Sequence, residues 1–374
     1  MTSQPSLISW TENDVLQSMR WHSESGASAP KRVVIADDRM TADAAFRLAS
    51  EGTAMLWRGD FQNARQLLQA LARRTDRKPP KPATTPGDVF NFHRQAQSQR
   101  GRTLAMILVP FAEDYSIPLR RAPDVQQACL EAYGVANGPF VASLRELLGV
   151  VGAYEWRKKG VEIPALGERI HPHYGVFSPV RGEYIGLVAE APLPTTSLAF
   201  DIGTGTGVLA AVLARRGIAH IVATDQDPRA LACAKENLTR LALTKQVELI
   251  QADLFPPGRA ALIVCNPPWL PARPSSPIEH AVYDPDNRML RGFLNGLVEH
   301  LAPGGEGWLI LSDLAEHLAL RSRAALLAFI DEAGLIVVGR MDVKPHHPKA
   351  ADASDPLHAA RAAEVTSLWR LAAR

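Results

Sequence analysis

The chain has 374 residues, of which 46% are hydrophobic and 21% charged, so it can form a buried core and is not a disordered, collagenous or disulfide-stapled protein. Lysine and arginine (41) nearly balance aspartate and glutamate (39), so bulk charge directs the chain neither to nucleic acid nor to an anionic membrane. Three distant cysteines, no secretory signal and no apolar run near about 20 residues predict a cytoplasmic protein without a membrane span or a thiolate metal site.

The length predicts two domains, and we place the boundary between residues 165 and 166. Residues 1–165 are expected to form a smaller α/β domain for substrate recognition. Its first 30 residues are polar and are interpreted as a short helix and a loose segment. Beyond them the apolar pattern predicts strands at 33–36, 53–57 and 103–109, helices at 41–50, 61–73, 123–133 and 139–151, and a hairpin within 154–177.

A basic, proline-rich stretch at 73–102 interrupts this alternation. It carries eight lysines and arginines against Asp76 and Asp88, a local charge of +6 (eight minus two). Its prolines predict an extended, exposed connection and not a helix. The stretch is either a solvated linker or an arm that contacts phosphates, since clustered lysine and arginine release counterions from nucleic acid.

Residues 166–374 show a regular alternation of short apolar segments and amphipathic helices. This pattern is typical of a Rossmann-like α/β domain, in which helices cover both faces of a mostly parallel sheet. The seven predicted strands are at 198–202, 220–224, 247–252, 261–265, 306–311, 335–341 and 364–370.

A glycine-rich turn follows the first of these strands in the segment FDIGTGTGVLA. The strand ends at Asp201, and Gly203, Gly205 and Gly207 precede a helix. Glycines let a ligand approach the backbone closely, and a helix N-terminus favours a carboxylate or phosphate group. A nicotinamide site is the alternative, but GxGxG differs from GxGxxG, and Asp201 would repel a pyrophosphate.

Two further aspartates end the next two strands. Asp225 follows the middle glycine by 20 residues, and Asp253 ends the third strand. Because the carboxyl ends of neighbouring parallel strands share one crevice, we expect Asp201, Asp225 and Asp253 to converge on one ligand. Three carboxylates suit a ligand with an amine, a ribose diol, an adenine amino group and a positive charge.

The fourth strand ends in Asn266-Pro267-Pro268-Trp269, in the same predicted crevice. With this motif, the chain from about residue 170 to 374 resembles class I S-adenosylmethionine-dependent methyltransferases of the group that methylates planar nitrogens. The segment GVFSPVRGEY at 175–184 is similar to the corresponding segment of ribosomal-RNA guanine-N2 methyltransferases and, less closely, of release-factor glutamine methyltransferases. It departs from both patterns, so neither substrate is carried over directly.

The resemblance implies S-adenosylmethionine as cofactor and no metal. Asn266 and the Pro267 carbonyl would accept the N–H bonds of the acceptor nitrogen, and Trp269 would offer its ring face to a flat acceptor. The residues expected to bind the cofactor are Asp201, Gly203, Gly205, Gly207, Asp225, Asp253 and Asn266.

The expected substrate is a macromolecule, most simply a base of structured RNA, with a protein glutamine as the alternative. A non-catalytic protein that keeps the cofactor-binding fold is the alternative of another class, which the intact NPPW motif disfavours. Tyr283-Asp284-Pro285 either lines the acceptor pocket or forms a plain turn. The spacing of His171, His173, His346 and His347 does not favour zinc.

Overall fold

A computed structural model describes residues 6–77, 81–274, 279, 281–345 and 352–374. The chain divides into two compact units, an N-terminal unit (Met1–Ala83 and Asn91–Glu155) and a C-terminal unit (Thr84–Phe90 and Trp156–Arg374). The main division therefore lies after residue 155, whereas the sequence predicts it after residue 165. Thr84–Phe90, from the predicted linker, belongs to the C-terminal unit, in which Phe90 packs with Leu270 and Leu318.

The N-terminal unit is built on a six-stranded sheet in the order β1-β2-β6-β5-β4-β3. β3, β4 and β5 run parallel to one another, while β1 with β2 and β5 with β6 pair antiparallel. The elements up to residue 159 are β1 (Leu7–Glu12), β2 (Val15–Trp21), β3 (Arg32–Ala36), α1 (Ala42–Ser50), β4 (Thr53–Trp57), α2 (Phe61–Asp76), α3 (Pro86–Leu104), β5 (Ile107–Phe111), α4 (Gln126–Tyr133), β6 (Phe140–Ser143) and α5 (Leu144–Lys159). The first turn of α3 and the last turn of α5 belong to the C-terminal unit.

The first 30 residues differ from the prediction of a helix and a loose segment, because they contain the β1–β2 hairpin. Ile8 and Trp10 alternate with exposed neighbours and are buried, which is the period of a half-buried strand. Asn13 and Asp14 connect the strands with φ of 51° and 58°. A two-residue loop with positive φ at both positions matches the twist of a hairpin, and Asn and Asp tolerate that conformation.

The basic stretch is also not the extended linker that its prolines suggest. Its start is the last turn of α2, and residues 86–104 form α3. Thr85 begins α3, since its Oγ1 accepts a hydrogen bond from the Asp88 amide at 3.1 Å, and Pro86 occupies the first turn, where a missing N–H is harmless. The stretch is therefore helical on both sides of the residues that separate α2 from α3, and residues 78–80 lie outside the described residues.

The C-terminal unit contains the predicted seven-stranded sheet, in the order β11-β10-β9-β12-β13-β15-β14, and a small β7–β8 hairpin. Its strands are β7 (Val161–Ile163), β8 (Glu168–Ile170), β9 (Leu198–Ile202), β10 (His220–Asp225), β11 (Val247–Gln251), β12 (Ala260–Cys265), β13 (Leu301–Ser312), β14 (Leu335–Val343) and β15 (Thr366–Ala373). Its helices are α6 (Glu183–Glu190), α7 (Val208–Arg215), α8 (Pro228–Arg240), α9 (Arg288–His300), α10 (Leu314–His317), α11 (Arg323–Glu332) and α12 (His358–Ala363).

Apolar cores lie on both faces of this sheet. α6, α7 and α8 bury side chains such as Val188, Leu213 and Leu238 in one core, and α9 and α11 bury Phe293 and Ile330 in another. The strands from β11 to β13 are parallel, and β15 runs antiparallel to its two neighbours. The predicted Rossmann-like α/β class is confirmed. Within the described ranges, no helix is long and apolar enough to cross a membrane.

The strand order reverses between β9 and β12, and open α/β sheets bind ligands at such a point. In the register, Ile202 of β9 pairs with Thr224 of β10 on one side and Cys265 of β12 on the other. The residues that follow in each chain therefore leave the sheet at the same edge. This register brings the glycine turn, Asp225 and Asn266 together.

Candidate active site

The glycine-rich turn folds over the end of β10. The amides of Gly203 and Thr204 donate to the carbonyl of Thr224 at 2.9 and 2.8 Å. Gly205 has φ of +55°, and a Cβ placed on it would meet no heavy atom within 4 Å, so this side of the turn is open space. Gly207, with φ of +80°, immediately precedes α7. The turn thus presents bare backbone at Gly205, as a site for a bound ligand requires.

Asp201 is buried beneath this turn with one oxygen unsatisfied. Its Oδ2 accepts hydrogen bonds from Thr204 Oγ1 at 2.7 Å and from the Ala210 amide at 3.1 Å. Its Oδ1 is buried and has no hydrogen-bond partner among the described residues. Burial raises the pKa of this carboxyl to about 6. A buried oxygen without a partner is the exception in folded proteins and indicates a missing donor.

Asp225 lies on the other side of the turn. Its Oδ2 accepts from the Gly205 amide at 3.0 Å and its Oδ1 from the Asp227 amide at 2.9 Å. Burial raises its pKa, and its charge also raises the pKa of Asp201. Two mutually repelling carboxylates beside open backbone suit a ligand with a positive charge and several N–H or O–H donors. By this test the residues present fit S-adenosylmethionine.

Asp253 differs from the other two aspartates. Its side chain is 59% exposed, and its Oδ2 accepts from Arg288 Nη2 of α9 at 2.7 Å. Asp253 follows β11 at the same edge of the sheet, two residues beyond Gln251, which pairs with Asp225. Its predicted contact with an adenine amino group therefore has to compete with Arg288, and it stays a prediction.

The NPPW motif leaves the end of β12 with Pro267 buried and Asn266 and Trp269 half-buried. The indole Nε1 of Trp269 donates to Asn266 Oδ1 at 2.9 Å. An amide oxygen has two lone pairs, so Asn266 keeps one acceptor position for a substrate N–H. Asn266 also forms a hydrogen bond with the hydroxyl of Tyr184 in α6. Burial strongly raises the pKa of Tyr184, and this hydrogen bond lowers it. The Asn266 amide is therefore held by two neighbours.

Arg181 covers Trp269 and was not among the predicted site residues. Its Cζ lies 5.0 Å from the centroid of the indole ring, a cation–π distance. One ring face, expected to be available to a flat acceptor, is therefore occupied by a guanidinium. Tyr184 and Arg181 lie in the segment 175–184, so the sequence offered a signal for them. Glu364, which binds Arg181, is too distant in the chain for a local pattern to indicate it.

The remaining candidates have structural roles in the described residues. Asp284 is buried and its carboxylate caps the first turn of α9, because its Oδ1 and Oδ2 accept from the Met289 and Leu290 amides at 2.9 and 3.0 Å. This geometry favours the plain turn for Tyr283-Asp284-Pro285.

His171 and His173, the two candidate histidines within the described residues, each have a separate partner. His171 Nδ1 contacts the Arg157 carbonyl at 2.7 Å, and His173 Nε2 contacts Glu236 Oε2 at 2.8 Å. His346 and His347 lie outside the described residues. Across the part of the chain that the structure describes, no group of three or more His, Cys, Asp or Glu side chains is arranged to hold a metal ion.

Comparison with known proteins gives matches over the residues that form this edge of the sheet. Residues 169–321 match the methyltransferase small domain. The chain is 38% identical over 130 residues to the release factor glutamine methyltransferase of Cereibacter sphaeroides. The matched region covers 34% of this chain and 43% of that protein. The chain is 28% identical over 184 residues to the tRNA1(Val) (adenine(37)-N6)-methyltransferase of Shewanella sp. strain MR-4. That matched region covers 46% of this chain and 75% of that protein.

Among solved structures, a methyltransferase from Pyrococcus furiosus is 16% identical, covers 62% of this chain and 99% of that chain, and gives a TM-score of 0.40. The chain spans less than half the length of the release factor enzyme that it matches. The expected methyltransferase resemblance is confirmed by the match over residues 169–321.

Proposed function

We propose that this chain is an S-adenosylmethionine-dependent N-methyltransferase acting on a planar nitrogen of a macromolecule, since residues 169–321 match the methyltransferase small domain. The observation that carries the proposal is the register of β9, β10 and β12. It sets the unsatisfied Asp201, the Asp225 carboxylate and the NPPW motif at one edge of one sheet. We therefore assign to this edge a site for a positively charged methyl donor and, beside it, a site for a planar acceptor nitrogen.

The residues assigned to the cofactor are Asp201, Asp225 and the backbone around Gly205. When bound, S-adenosylmethionine supplies a methyl group on a positively charged sulfur, which is an electrophile. The two carboxylates would accept hydrogen bonds from its amine and hydroxyl groups and offset its charge. Asp253 belongs to the same proposal, on condition that it releases Arg288.

Asn266 and Pro267 orient the acceptor nitrogen. The lone pair of an aryl amine or amide is delocalised, so the nitrogen is a poor nucleophile until its N–H bonds are fixed. Asn266 Oδ1, with its remaining lone pair, and the Pro267 carbonyl accept those two N–H bonds. The prolines and the Trp269 hydrogen bond preorganise these acceptors, and orientation supplies most of the acceleration. The nitrogen loses its proton readily after transfer, so no strong base is required.

We propose a base of structured RNA as the substrate. The similarity to the tRNA adenine-N6 methyltransferase, which spans 75% of that protein, and the exposed basic residues Arg73, Arg77 and Lys81 support it. The second candidate is a protein glutamine, which the 38% identity to the release factor enzyme supports. A cytoplasmic site of action is part of the same proposal and is supported by three free cysteines.

The test is methyl transfer from tritiated S-adenosylmethionine to an extract of a cell that lacks the enzyme. Label that nuclease releases and protease leaves intact supports RNA, and the reverse pattern supports a glutamine. Label in neither fraction contradicts the proposed function.

Asn266→Ala is the matched inactive variant. Its amide faces the acceptor, so cofactor affinity in calorimetry should stay within about threefold while transfer falls about 10²-fold or more, as when one preorganised polar group is removed. A parallel loss of cofactor affinity would place Asn266 in the cofactor site instead.

A further inference from the structure

We propose that Arg181 is a positioning residue for methyl transfer and that the buried Glu364 anchors it. This inference rests on the proposed function, because it assigns Arg181 the task of fixing the Asn266 amide through Trp269. The connection runs over four side chains from three separate parts of the C-terminal unit.

Arg181 is held from two sides by carboxylates. Its Nη2 donates to Glu364 Oε1 at 2.9 Å and to Glu183 Oε1 at 3.2 Å. These bonds fix the plane of the guanidinium, which lies 5.0 Å from the centroid of the Trp269 ring. A planar guanidinium stacks on an aromatic face in a way that a lysine ammonium does not. The indole therefore has one defined position beneath Arg181.

Glu364 is unusual for a residue at the end of a short surface helix. Its side chain is 0% exposed, its Oε1 also accepts from Ser312 Oγ at the end of β13, and its Oε2 is buried without a partner among the described residues. Burying a carboxylate is unfavourable unless a cation offsets it. Arg181 provides that cation, so the charge of Glu364 keeps the guanidinium where it covers Trp269.

The consequence reaches the reacting amide through one hydrogen bond. With the indole held, Trp269 Nε1 occupies one lone pair of Asn266 Oδ1 and leaves the other for the acceptor. Release of the indole would remove one of the two hydrogen bonds that hold the Asn266 amide, and its oxygen would lose part of the orientation that the acceptor nitrogen requires. Arg181 thus acts on transfer and not on cofactor binding.

The test combines a spectroscopic and a kinetic measurement on the full chain. Tryptophan labelled with ¹⁵N gives one indole N–H signal for each of the seven tryptophans, and Trp269→Phe identifies the Trp269 signal. In Arg181→Met we expect hydrogen exchange of that N–H to rise at least about tenfold. Transfer to the labelled fraction should lose about tenfold or more in kcat, with affinity for S-adenosylhomocysteine within about twofold.

Two further variants keep the inference falsifiable if Arg181→Met does not fold. Glu364→Gln preserves shape but removes the anchoring charge and should change exchange and kcat in the same direction, to a smaller extent. Arg181→Lys keeps the charge without the fork and should restore less than half of the loss. Arg240→Met, which removes an exposed arginine paired with Glu236 on α8, is the matched control and should change neither quantity.

Unchanged Trp269 exchange in folded Arg181→Met and Glu364→Gln would overturn the inference. The exchange measurement needs no acceptor, so it gives its answer even if the proposed function fails. Changed exchange with unchanged kcat would also overturn it, because the indole would then be held for stability alone. Loss of cofactor affinity in parallel with kcat would assign Arg181 to the cofactor site.

Discussion

The three aspartates at this edge of the sheet have different surroundings. Asp201 and Asp225 are both carboxylates at strand ends, yet one keeps a free buried oxygen while the other accepts two backbone amides. Asp253 is also predicted at a strand end, but its side chain is exposed and paired with Arg288. Strand-end position can be derived from sequence, whereas partners such as Arg288 depend on packing between distant segments.

Asp225→Ala should weaken S-adenosylmethionine binding at least about tenfold in calorimetry, because it removes charge-assisted hydrogen bonds worth about 1.5–3 kcal/mol each. Asp225→Asn, which keeps one acceptor oxygen, should lose less. The control is Asp227→Ala, which removes an exposed carboxylate that begins α8 and should leave affinity within about twofold. Wild-type affinity in folded Asp225→Ala would contradict the assignment.

Cofactor affinity should depend on pH through Asp201. Its pKa is raised to about 6 by burial, so the carboxylate becomes protonated as the pH falls through about 6 and ceases to offset a positive ligand. We expect affinity to fall by up to about tenfold per pH unit below that point. In Asp201→Asn the dependence around pH 6 should disappear, and its persistence would assign the titration to another group.

The same shift has the opposite sign for the ligand-free fold. The folded protein holds the Asp201 proton more tightly than the unfolded chain, whose aspartates titrate near about 3.9. The contribution of Asp201 to stability is therefore largest at low pH and is lost as the pH rises through about 6. Urea unfolding without cofactor, wild type against Asp201→Asn, measures this difference.

At the scale of elements, regular periodicity made the second half of the chain predictable. All seven strands of the large sheet lie within a few residues of their predicted positions, because apolar runs such as Leu262–Cys265 are buried on both faces. The first half was harder. The β1–β2 hairpin carried its signal in the alternation around Ile8 and Trp10 and in the Asn13-Asp14 loop, but polar composition concealed it.

The prediction of an extended linker at 73–102 was wrong for a different reason. Its prolines are concentrated in a few residues, and the glutamine- and arginine-rich segment that follows has good helix propensity once Thr85 begins the helix. The β6 strand was missed because its four residues, Phe140–Ser143, run directly into α5. Short elements joined without a turn leave no boundary in the sequence.

Thr85→Ala should therefore destabilise the fold by about 1 kcal/mol, since it removes the side-chain cap of α3. Equilibrium denaturation in urea measures the change. Thr239→Ala is the control, because Thr239 lies on the exposed side of α8 and its hydroxyl donates to the Lys235 carbonyl of its own helix. It should be neutral or slightly stabilising, and an equal loss in both variants would argue against a specific cap.

At the scale of the whole molecule, the proposed RNA substrate depends on which basic residues within 73–102 are available to contact phosphates. Some basic residues of the stretch are already paired: Arg74 contacts Asp43, and Arg100 contacts Asp76. Arg73, Arg77 and Lys81 are exposed, and none of them pairs with an acidic side chain among the described residues, although Lys81 Nζ donates to Gln95 Oε1 at 3.2 Å. Net charge alone did not reveal which arginines are available, because pairing is decided by the fold.

Replacing Arg73, Arg77 and Lys81 by serine should weaken RNA binding uniformly across sequences and flatten its salt dependence. Each phosphate contact contributes about 0.7 to 0.9 to the log–log slope, so three contacts should reduce it by about 2 to 3. Arg74→Ser is the control and should change the slope little. RNA binding that is absent, or insensitive to the triple replacement, would make the stretch a structural helix connection and favour the glutamine substrate.

The position of β15 between β13 and β14 has a consequence for the order in which this domain can be made. Strands emerge from the ribosome in sequence order, and β14 precedes β15, the strand with which it pairs in the described sheet. Until residues 366–373 have been synthesised, β13 and β14 each present an unpaired edge, and such edges promote aggregation. We therefore expect the nascent domain to aggregate unless these strand edges are shielded until β15 enters the sheet. Glu364 and Arg181 can form their hydrogen bond only after that step.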